Sequence, residues 1–127
     1  MKLNALIVED DKINQMLLKT FLEKNPNIGK IYQAYNGLEA LEILDNRKGE
    51  INLIFLDIKM PVMDGIEFME NIKSRHDFDY VPIIVLSTDD TRKNESLTLG
   101  AFDYLVKPIH QNDINEKIEK VLNIATA

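Results

Sequence analysis

Four hydrophobic runs in this 127-residue chain end, without a spacer, in side chains that can do chemistry. Leu3 to Val8 leads into Glu9-Asp10-Asp11, Leu53 to Leu56 into Asp57, Ile83 to Leu86 into Ser87-Thr88-Asp89-Asp90, and Asp103 to Val106 into Lys107-Pro108. If these runs are neighbouring parallel strands, the groups meet at one edge of a sheet, where open parallel sheets bind their ligands. Carboxylates gathered there repel one another and either take up protons or recruit a cation. Oxygen ligands with no His or Cys beside them favour a hard divalent ion, and a site that keeps several waters suits Mg2+. A lysine and a hydroxyl beside such an ion would complete the charge neutralisation that a phosphoryl group needs. A carboxylate could then serve as nucleophile and form an acyl phosphate.

Those groups need a scaffold, and the hydrophobic pattern supplies one. Short β-branched runs alternate with longer segments of helical period, as βα units on a parallel sheet do. Strands are expected at Leu3 to Val8, Lys30 to Ala34, Leu53 to Leu56, Ile83 to Leu86 and Asp103 to Val106. Several are apolar almost throughout, as central parallel strands buried on both faces are. In the first helix, Ile13, Met16, Leu17, Thr20 and Phe21 repeat at i, i+3, i+4, i+7 and i+8 and predict the buried face. A second helix follows Asn36-Gly37, with Asn36 as its N-cap, and a third follows Asp64-Gly65 and buries Phe68, Met69 and Ile72. The segment Thr91 to Leu99 has only Leu97 and Leu99 as large apolar anchors and is the least firmly packed. A last helix carries Ile114, Ile118, Val121, Leu122 and Ala125 on one face.

Composition narrows the field. With 45% apolar and 28% charged residues, the chain suits one core, and residues 1–127 read as a single domain with no room for another. The absence of Cys excludes disulfides, thiolate zinc sites and a cysteine nucleophile. A net charge of −6 is the wrong sign for binding nucleic acid through its phosphates. No apolar run approaches membrane-span or signal-peptide length, so a cytoplasmic protein without membrane contact is expected.

The ordered set of motifs resembles the receiver domain of two-component response regulators, including the chemotaxis response regulators. The matching residues are Val8-Glu9-Asp10-Asp11, Asp57 with Met60-Pro61-Val62-Met63-Asp64-Gly65, Pro82 to Ser87, Gly100-Ala101 and Tyr104 to Pro108. The resemblance implies a flavodoxin-like, doubly wound α/β fold: five parallel strands in order 2-1-3-4-5 with five helices, two on one face and three on the other. It implies a phosphorelay function in which a histidine kinase or histidine phosphotransfer protein delivers a phosphoryl group to Asp57 with Mg2+. Glu9, Asp10, Asp57 and the backbone carbonyl of Lys59 would hold the metal, Glu9 through a water. Ser87 and Lys107 would bind phosphoryl oxygens, and Tyr104 would turn inward as Ser87 shifts. That motion would alter a face of the fourth helix, fifth strand and fifth helix, where a downstream protein binds. Asn14, Leu18 and Leu22 would dock the phosphodonor. The domain would assist its own phosphorylation and dephosphorylation without acting on an external metabolite, and Lys107-Pro108 would be cis.

The chain also departs from the commonest pattern. Glu9 stands where Asp is frequent, Ser87 where Thr is frequent and Thr88 where a small Ala is usual. Asp11 fits a helix cap better than a ligand. Lys59 and Asp89 lie two residues beyond the acceptor and the hydroxyl, where an ion pair would hinder a hydrolytic water. Two other classes stay in view. A phosphatase of the haloacid dehalogenase type needs a second Asp two residues after its nucleophile, and Lys59 occupies that position. A phosphorylation-independent adaptor would have no need of Glu9, Asp10, Asp57, Ser87 and Lys107 together.

Overall fold

A computed structural model of the chain describes residues 2–88 and 90–125. Ten elements alternate: β1 (Leu3–Val8), α1 (Lys12–Glu23), β2 (Ile28–Ala34), α2 (Gly37–Asn46), β3 (Leu53–Asp57), α3 (Gly65–Arg75), β4 (Ile83–Ser87), α4 (Lys93–Thr98), β5 (Asp103–Val106) and α5 (Gln111–Ala125). The strands form one parallel sheet in the order β2-β1-β3-β4-β5, as the resemblance implies.

Side chains on successive strand residues point to opposite faces, and each face has its own core. Leu6, Val8, Ile54, Leu56, Ile83 and Val85 face α2 and α3 and pack on Ala40, Leu44, Phe68, Met69 and Ile72. Leu3, Ala5, Ile7, Leu53, Phe55, Ile84 and Leu86 face α1 and α5 and pack on Leu18, Leu22, Ile114, Ile118 and Val121. Partly buried Leu99, the C-cap of α4, packs against the first face. The expected apolar stripe of α5 is met by Ile114, Ile118 and Val121; the side chain of Ala125 lies outside the description.

Three expectations need correcting. The face of α1 that enters the core is Gln15, Leu18 and Leu22, and the predicted stripe of Ile13, Met16 and Leu17 is exposed at 77%, 68% and 45%. Both stripes have helical spacing, and in the buried one the Gln15 amide meets three backbone carbonyls. In α4 the buried anchor is Ser96 instead of Leu97, since the Ser96 hydroxyl donates to Arg92 O in its own helix and takes no unpaired polar group inward. Strand β2 begins at Ile28, two residues before the expected start. Gly29 permits this: a Cβ there would lie 2.7 Å from Asn4 Oδ1, which accepts a hydrogen bond from Lys30 N.

Helix caps shorten the loops at the carboxyl edge of the sheet. Asp11 Oδ1 accepts from Ile13 N and Asn14 N, Asn36 Oδ1 from Glu39 N, and Asp64 closes a reciprocal capping box with Glu67. The chain therefore passes from β1 to α1 and from β2 to α2 within three residues.

Candidate functional site

At that edge Glu9, Asp10 and Asp57 converge. One carboxylate oxygen from each lies within 4.8 Å of the others. Glu9 and Asp57 are buried and Asp10 is exposed. Lys107, immediately after β5, reaches across β4 and donates to both buried acids: its Nζ is 2.8 Å from Glu9 Oε1 and 3.2 Å from Asp57 Oδ1. Sheet register makes this meeting possible. Val8 pairs with Leu56 and Leu56 with Val85, so Glu9 and Asp57 leave adjacent strands at one level.

Three carboxylates against one ammonium leave two negative charges unbalanced. Burial pushes Glu9 up to about 7, although the Lys107 hydrogen bond opposes it. Burial likewise raises Asp57 against the attraction of Lys107. Burial works against the Lys107 charge, but its hydrogen bond to Glu9 and the attraction of Asp57 prevail and raise its pKa. Oxygen donors carrying this excess charge fit a hard divalent cation.

Asp57 owes its placement to the loop behind it. Gly65 N donates to Ile58 O at 2.8 Å, and a Cβ on Gly65 would lie 2.5 Å from Asp57 O. Only glycine allows α3 to start so close to the acceptor strand. Farther along the loop, Gly37 N donates to Met63 O, tying α2 to the same segment. Lys59 lies two residues past Asp57 with its side chain exposed.

Ser87 ends β4 with a buried side chain, and its carbonyl accepts from Lys107 N at 2.6 Å. The Lys107-Pro108 bond is cis. Tyr104 is buried against the core on the α2 and α3 face, its ring already inward. Asp11 caps α1, as its sequence position suggested. His76 and His110 are exposed, as expected of surface residues. Asp89, and with it the proposed pair to Lys59, lies outside the described residues. Leu18 and Leu22, expected on a docking surface, are 4% and 0% exposed and belong to the core. Asn14 alone of that trio reaches solvent, beside a cavity of about 330 Å3 lined by Glu9, Leu17, Phe21, Lys107 and Pro108. The residue that sequence reasoning missed is Gln15, a buried amide directly behind Glu9; its signal was a polar residue at i, i+3, i+7 spacing with Leu18 and Leu22.

A parallel sheet with an acid cluster and a lysine at its carboxyl edge is the arrangement of a phosphate-handling α/β domain. The family comparison is specific: residues 5–119 match the response regulator receiver domain, and the chain belongs to that family. It is 40% identical over 111 residues to the protein-glutamate methylesterase/protein-glutamine glutaminase of Clostridium acetobutylicum, which covers 84% of this chain and 31% of that protein. It is 32% identical over 145 residues to the osmolarity two-component system protein SSK1 of Saccharomyces cerevisiae, covering 92% of this chain and 20% of that one. The chain thus spans a third or less of the length of these two relatives. Among solved structures, a CheX–CheY complex with BeF3 and Mg2+ from Borrelia burgdorferi superimposes with a TM-score of 0.86 at 27% identity, covering 94% of this chain and 89% of that one. Receiver domains of this family accept phosphoryl groups on an aspartate. No helix among the described residues is long and apolar enough to cross a membrane.

Proposed function

We propose that Asp57 is the phosphoacceptor and that Glu9, Asp10, Asp57 and the Lys59 carbonyl hold a Mg2+ ion beside it. The observation carrying this reading is the single ammonium of Lys107 shared by Glu9 and Asp57 within a cluster of three carboxylates. The ion would supply the positive charge that lets an anionic carboxylate approach an anionic phosphoryl group. An Asp57 carboxylate oxygen forms the new bond to phosphorus, the P–N bond to the donor imidazole breaks, and that nitrogen leaves with the electron pair. Lys107 then exchanges part of its contact with the acids for a phosphoryl oxygen, and the Ser87 hydroxyl donates to another. Tyr104, buried on the face to which Ser87 points, reports the Ser87 shift to the surface of α4, β5 and α5, where a downstream protein would bind.

The phosphodonor, a histidine kinase or phosphotransfer protein, docks on α1. With Leu18 and Leu22 buried, the contact surface falls to Ile13, Met16 and Leu17, with Asn14 at the edge nearer Lys107. The fraction of each relative that the chain matches leaves the output of any larger protein outside this reading.

Intact mass after incubation with acetyl phosphate tests it. A gain of one phosphoryl group that requires Mg2+ and disappears in Asp57→Ala is expected. Unchanged phosphorylation of the Asp57→Ala protein would refute the assignment.

A further inference from the structure

We propose that Gln15 is a positioning residue for the acidic pair: its buried side-chain amide fixes the backbone of Glu9, and so the placement of the Glu9 and Asp10 carboxylates, from behind the site. The inference rests on the metal reading above and adds a residue to it.

The pairing of β1 with β2 ends at Val8 opposite Ala34. Glu9 lies one residue past the ladder, where the strand no longer constrains it. Its N–H donates to Ala34 O at 3.0 Å, and its carbonyl accepts from Gln15 Nε2 at 3.0 Å. The same nitrogen lies 2.6 Å from Ala34 O and 3.2 Å from Ile7 O. An amide nitrogen has two hydrogens, so three acceptors mean that one hydrogen is shared, and the amide acts as a clamp across the ends of two strands. Gln33 Nε2 donates to Gln15 Oε1 at 3.1 Å, which fixes the end of the amide that faces the carbonyls. Gln15 is 1% exposed, so its bonds do not compete with solvent.

The restraint continues into the side chains. Glu9 Oε1 takes the Lys107 ammonium and Glu9 Oε2 accepts from Asp11 N at 3.3 Å. Asp10 is therefore held between a residue bonded through its backbone and both carboxylate oxygens and a residue that caps α1. It is the exposed acid of the three and has no buried packing of its own to orient it. Groups that orient metal ligands from behind typically change affinity by about 10–100-fold when removed.

The test is Mg2+ titration of the 15N-labelled full chain followed at the amides of Asp10 and Asp57, with thermal melting of each variant beside it. Gln15→Met keeps the length of the side chain and removes its donors. The expected result is a Mg2+ dissociation constant raised on the order of tenfold, with Gln33→Ala raising it by less. Leu44→Ala, a core truncation in α2, supplies a destabilised control and is expected to leave the constant unchanged. A folded Gln15→Met protein that binds Mg2+ like the wild type overturns the proposal, as does a Leu44→Ala control that weakens binding equally. If Gln15→Met does not fold, Gln33→Ala decides in its place, and unchanged affinity overturns the proposal. A wild-type chain with no saturable response fails earlier, at the metal reading, and takes this inference down with it.

Discussion

Replacing Asp57 by Asn should make the metal-free protein more stable, although it removes a side chain that accepts from Lys107. Within 4.8 Å, each repulsion of Asp57 with Glu9 and with Asp10 is worth at least about 3.5 kcal/mol at an effective dielectric of about 20. The attraction to Lys107 at 3.2 Å is worth about 5 kcal/mol on the same scale. Repulsion exceeds attraction by about 2 kcal/mol, and loss of a buried charge acts in the same direction. For a domain of this size that corresponds to a rise in Tm of roughly 5–10 °C.

Thermal unfolding in EDTA at pH 8, above the value of about 7 for Glu9, keeps Glu9 charged for the comparison. Added Mg2+ should then stabilise the wild type more than Asp57→Asn, because the variant has lost one anionic ligand and part of the repulsion that the ion relieves. A variant that melts at or below the wild-type temperature in EDTA would refute the charge reasoning. It would mean that Lys107 already balances the cluster.

Three further outcomes are expected. Gly65→Ala places a Cβ 2.5 Å from Asp57 O, so the loop must move; phosphorylation by acetyl phosphate should fall at least tenfold in protein whose circular dichroism shows it folded. Met16→Asp should slow transfer from a phosphohistidine donor while leaving acetyl phosphate labelling intact, whereas Leu18→Asp should cost several kcal/mol in urea denaturation, because Leu18 is 4% exposed. The pKa of Asp103 is lowered, its burial being outweighed by Lys117 at 2.8 Å and by Lys120, so its stabilising contribution is present above the ordinary 3.8 and is lost as pH falls through the lowered value. Asp103→Asn should therefore cost about 1 kcal/mol at pH 7 and progressively less below pH 3.8, read by urea denaturation at each pH.

The sheet and its active edge were legible because period-2 burial and uninterrupted apolar runs leave little choice of register. Groups set directly after those runs had to emerge at one edge. Helix faces were less legible. On α1 two stripes compete, and counting apolar residues selects Ile13, Met16 and Leu17; the core takes the stripe headed by Gln15, whose amide donates to strand-end carbonyls there. Burial of Ser96 in place of Leu97 follows the same rule, since a polar side chain that bonds its own helix enters a core without penalty. Hydrophobic periodicity counts transfer energies and carries no information about which backbone groups across the interface are unpaired.

Alternation along the strands also gives the proposed reading its spatial logic. Glu9 is in phase with Ile7, Asp57 with Phe55 and Lys107 with Leu105, all on the α1 and α5 face. Ser87 is in phase with Val85, on the face where Tyr104 is buried. Groups that would receive the phosphoryl group thus share a side with Gln15 and with the exposed residues of α1. The hydroxyl that would sense it leaves the sheet toward the other core. A donor can then occupy α1 while a change at Ser87 travels to Tyr104 through a different set of contacts. If this separation is physical, Met16→Asp should impair donor transfer without altering the Tyr104 ring signals after acetyl phosphate treatment. A shifted Tyr104 signal in that variant before phosphorylation would show instead that the two faces are coupled through the strands.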